Sequence, residues 1–217
     1  MRIANNILRH SLRNVYFLIG TACGGKTTMA KALSEKYGFV HFDDNWHEPP
    51  YKMWETVRDL KYQKSAREVT DWEAYFGRPL EEFVADMEEN AGVNEFFEFA
   101  VVELVKMSQH NTIVADIGAP ADVVLDISDY HRVACLRAPA ELIVRDYYGR
   151  EDHREFIECI MRLTEPEKKL ATQNELFRIG AERIADEARE CGMFQIVRNE
   201  ESTVEKTLRL LEAHFKL

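Results

Sequence analysis

The sequence predicts an α/β fold in which short apolar strands alternate with helices. Two observations support this prediction. The apolar run at 15–19 leads through a glycine-rich loop into a segment with helical apolar periodicity. Further short apolar runs, each with a helical segment after it or before it, lie at 39–42, 112–118, 131–136 and 193–197. The length of 217 residues suits a single domain, 1–217, with one large insertion or a small second subdomain.

The loop after the first strand has the pattern G-x-x-x-x-G-K-[ST]. Glycines let such a loop turn sharply and bring its N–H groups to phosphate oxygens, and the next helix adds unpaired amides and a positive dipole end. Lys26 would reach the outer phosphates, and the Thr27 hydroxyl would ligate the Mg²⁺ that accompanies a nucleotide. The predicted nucleotide-binding residues are Gly20, Ala22, Cys23, Gly24, Gly25, Lys26, Thr27 and Thr28.

Cys23 has two interpretations. The neighbouring amides and Lys26 would lower the pKa of its thiol and make it sensitive to oxidation, or it is a small side chain at a permissive position, which we favour. The chain has four cysteines, at 23, 135, 159 and 191, without C-x-x-C spacing. We therefore expect reduced thiols in a cytoplasmic protein.

The charge balance limits the partners. The chain has 28 Lys and Arg against 38 Asp and Glu, for a formal net charge of -10. An acidic surface repels nucleic acid and anionic membranes, so phosphate must be bound by local, preorganised donors. No apolar run approaches the roughly 18 residues that a membrane span needs. We expect neither nucleic acid nor membrane as a partner.

Carboxylates follow two of the predicted strands. Asp43 and Asp44 come at the carboxyl end of the strand at 39–42, the edge at which open parallel sheets bind ligands. One carboxylate would orient or deprotonate an attacking hydroxyl and the other would hold Mg²⁺, although Asp44 also suits a helix N-cap. Asp116 closes the strand TIVADIG, a position typical of a carboxylate that holds Mg²⁺ through water.

The segment 45–108 is rich in acids and aromatics and predicts about three helices, broken at its prolines and glycines. Most of its aromatics suit a core. The candidates for a substrate pocket are Trp46, His47, Trp54 and Arg78. Two alternatives stay open for this segment, a lobe of the same chain or the interface of a homodimer.

Three arginines, Arg145, Arg150 and Arg154, lie close together around Gly149. On a mobile segment they would close over the nucleotide and stabilise charge on the transferring phosphoryl group. The alternative is a solvated helix face on which nearby acids pair with them.

The ends of the chain give three further expectations. A helix over 3–13 should pack against the sheet with Ile7, Leu8 and Leu12 inward, an interpretation that we prefer to a transit peptide. A closing helix over 202–215 should be capped by Ser202. The turn at 198–202 lies where a nucleotide base would rest.

The chain resembles the small P-loop kinases of the nucleoside monophosphate, shikimate and gluconate kinase group. The resemblance rests on GTACGGKT, FDD, VAD, CLRAPAELIVRDYYGR and the final strand and helix, and it covers most of the chain except 45–108. It implies a P-loop NTPase three-layer fold with a five-stranded parallel sheet flanked by helices. It also implies ATP as donor, Mg²⁺, a helical substrate-binding insertion and an arginine-bearing lid at 145–155.

By position, the resemblance assigns the acceptor hydroxyl to Asp43 or Asp44 and the lid to Arg145 and Arg150. This chain departs from the group in FDDN, an imperfect version of the acid-x-acid spacing, and in DIGAP, which replaces the glycine-rich run of shikimate kinases. We therefore expect an ATP-dependent kinase acting on a hydroxyl-bearing small metabolite. The alternatives are a nucleoside monophosphate kinase, a nucleotide-binding regulator with little turnover, and a degenerate kinase fold that serves as an interaction module.

Overall fold

The computed structural model of the chain describes residues 3–43, 69–90 and 95–217. Its strands are β1 (Val15–Gly20), β2 (Val40–Asp43), β3 (Ile113–Asp116), β4 (Val133–Arg137) and β5 (Gln195–Val197). They form one sheet in the order β2-β3-β1-β4-β5, and every neighbouring pair is parallel. The α/β class and the five-stranded parallel sheet are confirmed.

Helices cover both faces of the sheet. They are α1 (Asn5–Ser11), α2 (Lys26–Tyr37), α3 (Trp72–Phe76), α4 (Leu80–Asn90), α5 (Glu95–Met107), α6 (Ala121–Ile127), α7 (Ala140–Asp146), α8 (Arg154–Met161), α9 (Pro166–Glu190) and α10 (Val204–Phe215), with short 3-10 turns at Tyr130–Arg132 and Glu151–His153. Within the described ranges, no helix is both long and apolar enough to cross a membrane.

The central strand β1 shows why the fold has three layers. Alternate side chains of a strand point to opposite faces, and every side chain from Val15 to Ile19 is buried. Val15, Phe17 and Ile19 join a core with α5 and α6, whereas Tyr16 and Leu18 join a core with α2 and α10. The loop after β1 therefore lies at the middle of the sheet's carboxyl edge, where open parallel sheets bind ligands.

Several element boundaries differ from the sequence prediction. The N-terminal helix spans only Asn5–Ser11; Leu12 is fully buried as expected, but Ile7 is 56% exposed, so its predicted inward orientation is wrong. The closing helix is capped by Thr203, whose hydroxyl accepts a hydrogen bond from the Lys206 N–H. The predicted cap, Ser202, instead accepts a hydrogen bond from the Asn199 N–H.

A buried lysine joins α3 to α9. Lys169 is 7% exposed, and its ammonium donates to Glu73 Oε1 at 2.5 Å and to the Thr164 carbonyl at 2.5 Å. The Thr164 N–H and hydroxyl both donate to the Glu73 carboxylate. These bonds, that from Lys169 foremost, lower the pKa of Glu73 to about 2. The ionised Glu73 thus fixes α3 to the start of α9.

This ion pair predicts an acid-sensitive contribution to stability. The pKa of Glu73 falls from an ordinary 4.5 to about 2 on folding, so its contribution is complete above about pH 4.5 and is lost as pH falls toward 2. Glu73→Gln should therefore melt at a lower temperature than the intact protein at neutral pH, and the difference should shrink in acid. The measurement is thermal unfolding followed by circular dichroism over that pH range.

The matched control is Glu88→Gln, a substitution at an exposed position of α4. It should leave the melting temperature unchanged at every pH. A Glu73→Gln difference that stays constant from neutral pH to acid would contradict the assignment of that stability to the ionised carboxylate.

Candidate functional site

The loop from Gly20 to Gly25 lies directly against β4. The Thr21 N–H donates to the Leu136 carbonyl at 3.2 Å, and a Cβ added to Gly20 or Gly24 would overlap that same carbonyl oxygen. Gly25 has φ of 95°, a left-handed conformation that glycine adopts without strain, and it is the residue from which α2 begins. Glycine is thus required at these positions by close approach and by backbone conformation.

Thr21, which the sequence motif leaves unspecified, holds the loop in place. It is 2% exposed, and its hydroxyl accepts a hydrogen bond from the Ala138 N–H at 2.7 Å. Its carbonyl accepts a hydrogen bond from the Lys26 ammonium at 3.0 Å. The charge of Lys26 is therefore held over the loop, within reach of a phosphate group bound to the loop amides.

The predicted metal-binding residues, Thr27 and Asp116, lie together where the first turn of α2 meets the end of β3. The Thr27 hydroxyl donates to Asp116 Oδ2 at 2.5 Å, and Asp116 is 2% exposed. Asp43 is the register partner of Asp116 on the neighbouring strand, so the two carboxylates lie on the same face of the sheet. Of the two adjacent acids singled out by the sequence, Asp43 is described, whereas Asp44 lies outside the described residues, as do Trp46, His47 and Trp54.

The donor set suits Mg²⁺ that arrives with a nucleotide. Hydroxyl and carboxylate oxygens are hard donors, and Mg²⁺ is commonly held by one or two carboxylates together with substrate phosphates. In the described ranges there is no group of three His, Cys, Asp or Glu side chains that could hold a metal ion without such help. Thr27 and Asp116 are thus the residues here that fit the metal.

A cavity of about 600 Å³ opens over the loop. One wall is the loop and the first turn of α2, from Thr21 to Met29. The opposite wall combines Asp146 and Arg150 with residues around β5 and the start of α10, namely Ile196, Arg198, Ser202, Thr203, Val204 and Thr207. The predicted base-binding turn at 198–202 therefore contributes to the same cavity as the phosphate-binding loop.

Arg198 links the two walls; the sequence analysis included it in the base-binding turn but gave it no role of its own. Its guanidinium donates to the Cys23 carbonyl at 2.9 Å and to Asp146 Oδ2 at 3.1 Å. A signal was present in the sequence, because Arg198 is the first cation after the last strand, at the carboxyl edge of the sheet. It fixes the loop to the end of α7.

The three arginines that the sequence analysis assigns to a lid occupy different places. Arg150 lines the cavity and contacts Cys23. Arg145 pairs with Asp146 at 2.6 Å and with Glu200 at 2.5 Å, and it does not line this cavity. Arg154 pairs with Glu158 one helical turn away and is 76% exposed along its side chain, the arrangement of a solvated helix face.

Two further candidates, Cys23 and Arg78, do not have the properties that the sequence suggested. Burial raises the pKa of the Cys23 thiol, although the nearby Arg150 acts in the opposite direction, so the interpretation of an acidified thiol is wrong. Arg78 stacks over the rings of Tyr75 and Phe83, at 4.4 Å and 4.2 Å from their centroids. Arg78 thus packs inside the insertion and is not among the residues that line the cavity.

The parallel sheet order and the glycine-rich loop at the carboxyl edge define an α/β fold with a P-loop. No family model and no curated protein matches the chain. Among solved structures, a shikimate kinase from Bacteroides thetaiotaomicron is 14% identical with a TM-score of 0.48, over 94% of this chain and 98% of that one. A shikimate kinase from Acinetobacter baumannii in complex with shikimate is 18% identical with a TM-score of 0.45, over 98% and 97%. Both of these similar structures are shikimate kinases, one of the groups that the sequence resembles.

The contact between the loop and β4 predicts a cost for a single added methyl group. Gly24→Ala should lower the stability by about 1–3 kcal/mol, because the new Cβ would overlap the backbone of Leu136. In a chain of this size that corresponds to a fall of several degrees in melting temperature. Calorimetry of the two proteins measures it.

Gly118→Ala is the matched control, because a Cβ there meets nothing within 4 Å. It should change the melting temperature little. Equal melting temperatures for Gly24→Ala and the intact protein would show that the loop is not held against β4 as described.

Proposed function

We propose that the chain is a kinase that transfers the γ-phosphoryl group of ATP to a hydroxyl group of a small metabolite. The observation that carries the proposal is the hydrogen bond from Thr27 to Asp116, beside the register pair of Asp116 and Asp43. It brings a phosphate-binding loop, a metal-holding pair and a further carboxylate to one edge of the sheet. A site for nucleotide binding alone would not need the carboxylate at Asp43.

The loop amides and Lys26 would bind and orient the β- and γ-phosphates. In the described structure Lys26 donates to the Thr21 carbonyl. On nucleotide binding, its ammonium would donate to a phosphate oxygen instead. The Thr27 hydroxyl donates its proton to Asp116, so its lone pairs are left for the metal. Mg²⁺ bound there with the nucleotide would neutralise charge on the phosphoryl oxygens.

Asp43 is the group that we assign to the acceptor. It lies at the carboxyl end of β2, on the same face as Asp116, and it would accept a hydrogen bond from the acceptor hydroxyl and aim that oxygen at the γ-phosphorus. Phosphoryl transfer depends mainly on positioning and electrostatics, so such orientation contributes to the rate even without full proton removal.

Arg150 would contribute charge stabilisation from the opposite wall of the cavity. Its segment, 145–155, begins in the last turn of α7, and Arg198 ties this end of α7 to the loop through Asp146 and the Cys23 carbonyl. A guanidinium held over the phosphates would stabilise negative charge as it develops on the transferring group.

The first test is ADP release with Mg-ATP and pooled sugars, polyols, nucleosides and nucleoside monophosphates. We expect one pool of hydroxyl compounds to accelerate release, and Lys26→Ala to reduce the accelerated rate by about 10²- to 10³-fold through loss of a charge on the phosphates. Lys106→Ala, at an exposed position that pairs with Glu103, is the control and should retain the rate.

The pools also separate the alternatives. Acceleration by the monophosphate pool alone would replace the metabolite kinase with a nucleoside monophosphate kinase. ATP binding with no acceleration by any pool would favour a nucleotide-binding regulator.

The role of Asp43 gives a second prediction. Asp43→Asn should lower kcat by about 10²- to 10⁴-fold, the usual contribution of a group that handles the acceptor proton, with little change in the KM for ATP. Steady-state kinetics with the accelerating acceptor measures both constants. Asp129→Asn, an exposed position on the amino side of β4, is the control and should leave kcat unchanged. An unchanged kcat for Asp43→Asn would transfer the role to another carboxylate.

A further inference from the structure

One imidazole near the site is not used by the proposed function. His41 lies on β2, two residues before Asp43, so both side chains are on the same face of the sheet. Its register partner is Val114, which packs in the core that contains Met29 and Leu33 of α2. His41 therefore lies on the face of the sheet that α2 covers, the same face as Asp116, which accepts the hydrogen bond from Thr27.

The environment of His41 is unusual for a half-buried histidine. Its Nε2 atom is buried and has no hydrogen-bond partner among the described residues, and it lies 4.0 Å from Asp116 Oδ2. By contrast, the Nε2 atom of the buried His214 lies 2.9 Å from the Val133 carbonyl, and the Nδ1 atom of His131 lies 2.9 Å from the His214 carbonyl. His41 is thus close to one acceptor without a completed bond.

Asp116 is in the complementary situation. Its side chain is 3% exposed, and its Oδ2 atom accepts the hydrogen bond from Thr27. A buried carboxylate is costly unless donors surround it, and a buried donor without a partner is costly as well. At 4.0 Å, Nε2 lies just beyond hydrogen-bond distance of Oδ2. A bond between them would give the buried nitrogen a partner and the carboxylate a second donor.

We propose that His41 is a positioning residue for the metal, acting through Asp116 on Thr27. Its Nε2–H donates to Asp116 and fixes the orientation in which the carboxylate accepts the Thr27 proton. The Thr27 hydroxyl then presents its lone pairs to the metal. The inference rests on the proposed function, because it assigns His41 to the metal that accompanies the nucleotide.

The same geometry separates this role from a purely structural one. Loss of a packing residue would weaken folding and nucleotide binding with or without metal. Loss of a residue that orients Thr27 would weaken the metal-dependent part of nucleotide binding, because among the described residues Lys26 donates to the Thr21 carbonyl and the ion pair of His41 is with Asp116. Outer-shell partners of metal ligands commonly change metal affinity by about 10- to 100-fold.

The experiment measures the affinity for the non-hydrolysable analogue AMP-PNP by calorimetry, in EDTA and in excess Mg²⁺. The ratio of the two dissociation constants is the metal contribution. For His41→Leu, which keeps volume but has no donor, we expect that ratio to fall by about 10-fold while the affinity in EDTA stays the same. His41→Gln, whose amide nitrogen reaches about as far as Nε2, should restore most of the ratio.

Val40→Ala is the control on the same strand, because Val40 packs against the core on the opposite face of the sheet. It should leave the ratio unchanged. Melting temperatures of all variants without ligand report any loss of folding separately.

The possible results separate the role of His41 from the proposed kinase function. An intact protein that binds AMP-PNP no more tightly with Mg²⁺ than in EDTA would overturn both. An intact protein with a metal-dependent affinity that His41→Leu retains would overturn only the role of His41. A loss in His41→Leu that is equal in EDTA and in Mg²⁺, or that His41→Gln does not restore, would also overturn it.

Discussion

The hydrogen bond between Thr27 and Asp116 joins parts of the chain that are 89 residues apart, and the site depends on it. It connects the first turn of α2 to the end of β3, and so it fixes the glycine-rich loop relative to the carboxyl edge of the sheet. This contact exists because β3 lies beside β1 in the sheet, with Asp116 paired in register to Leu18. The order of the strands thus determines the geometry of the site. The pairing of β1 with β3 places Asp116 beside Thr27, and the pairing of β3 with β2 places Asp43 beside Asp116.

The opposite wall is fixed by charges rather than by strands. Arg198 holds the Cys23 carbonyl and Asp146 together, so the loop, the end of α7 and the turn after β5 share one cation. Hydrogen bonds from Arg145 lower the pKa of Asp146, and Arg198 makes a smaller contribution in the same direction. The Asp146 carboxylate is therefore charged at neutral pH. The cavity is therefore formed by the glycine-rich loop and the first turn of α2 on one side, and on the other by Asp146, Arg150 and residues around β5 and the start of α10.

The local part of this site could be predicted from sequence, because a strand, a glycine-rich loop and a helix form one continuous segment. Asp116 and Asp43 could be predicted as ends of apolar strands, although their register could not, since it depends on pairing between distant segments. His41 gave no signal, because a histidine at an alternating strand position is usually a core residue. The positions of the arginines could not be predicted from their spacing in the sequence. Arg154 is close to Arg145 and Arg150 in the sequence but is exposed to solvent, whereas the distant Arg198 lines the cavity. The predicted orientation of Ile7 was wrong because α1 is only seven residues long, and so short a helix does not define one inward face by its periodicity.

The central claim is that the loop, Thr27 and Asp116 hold a metal-bound triphosphate with its γ-phosphoryl group directed toward Asp43. A crystal structure of the protein with Mg²⁺ and AMP-PNP tests it most directly. The account predicts phosphate oxygens on the amides of Gly24 to Thr27, the metal on the Thr27 hydroxyl, and the γ-phosphoryl group on the side of the loop that faces β2. A nucleotide bound elsewhere, or one whose γ-phosphoryl group points away from Asp43, would contradict the account.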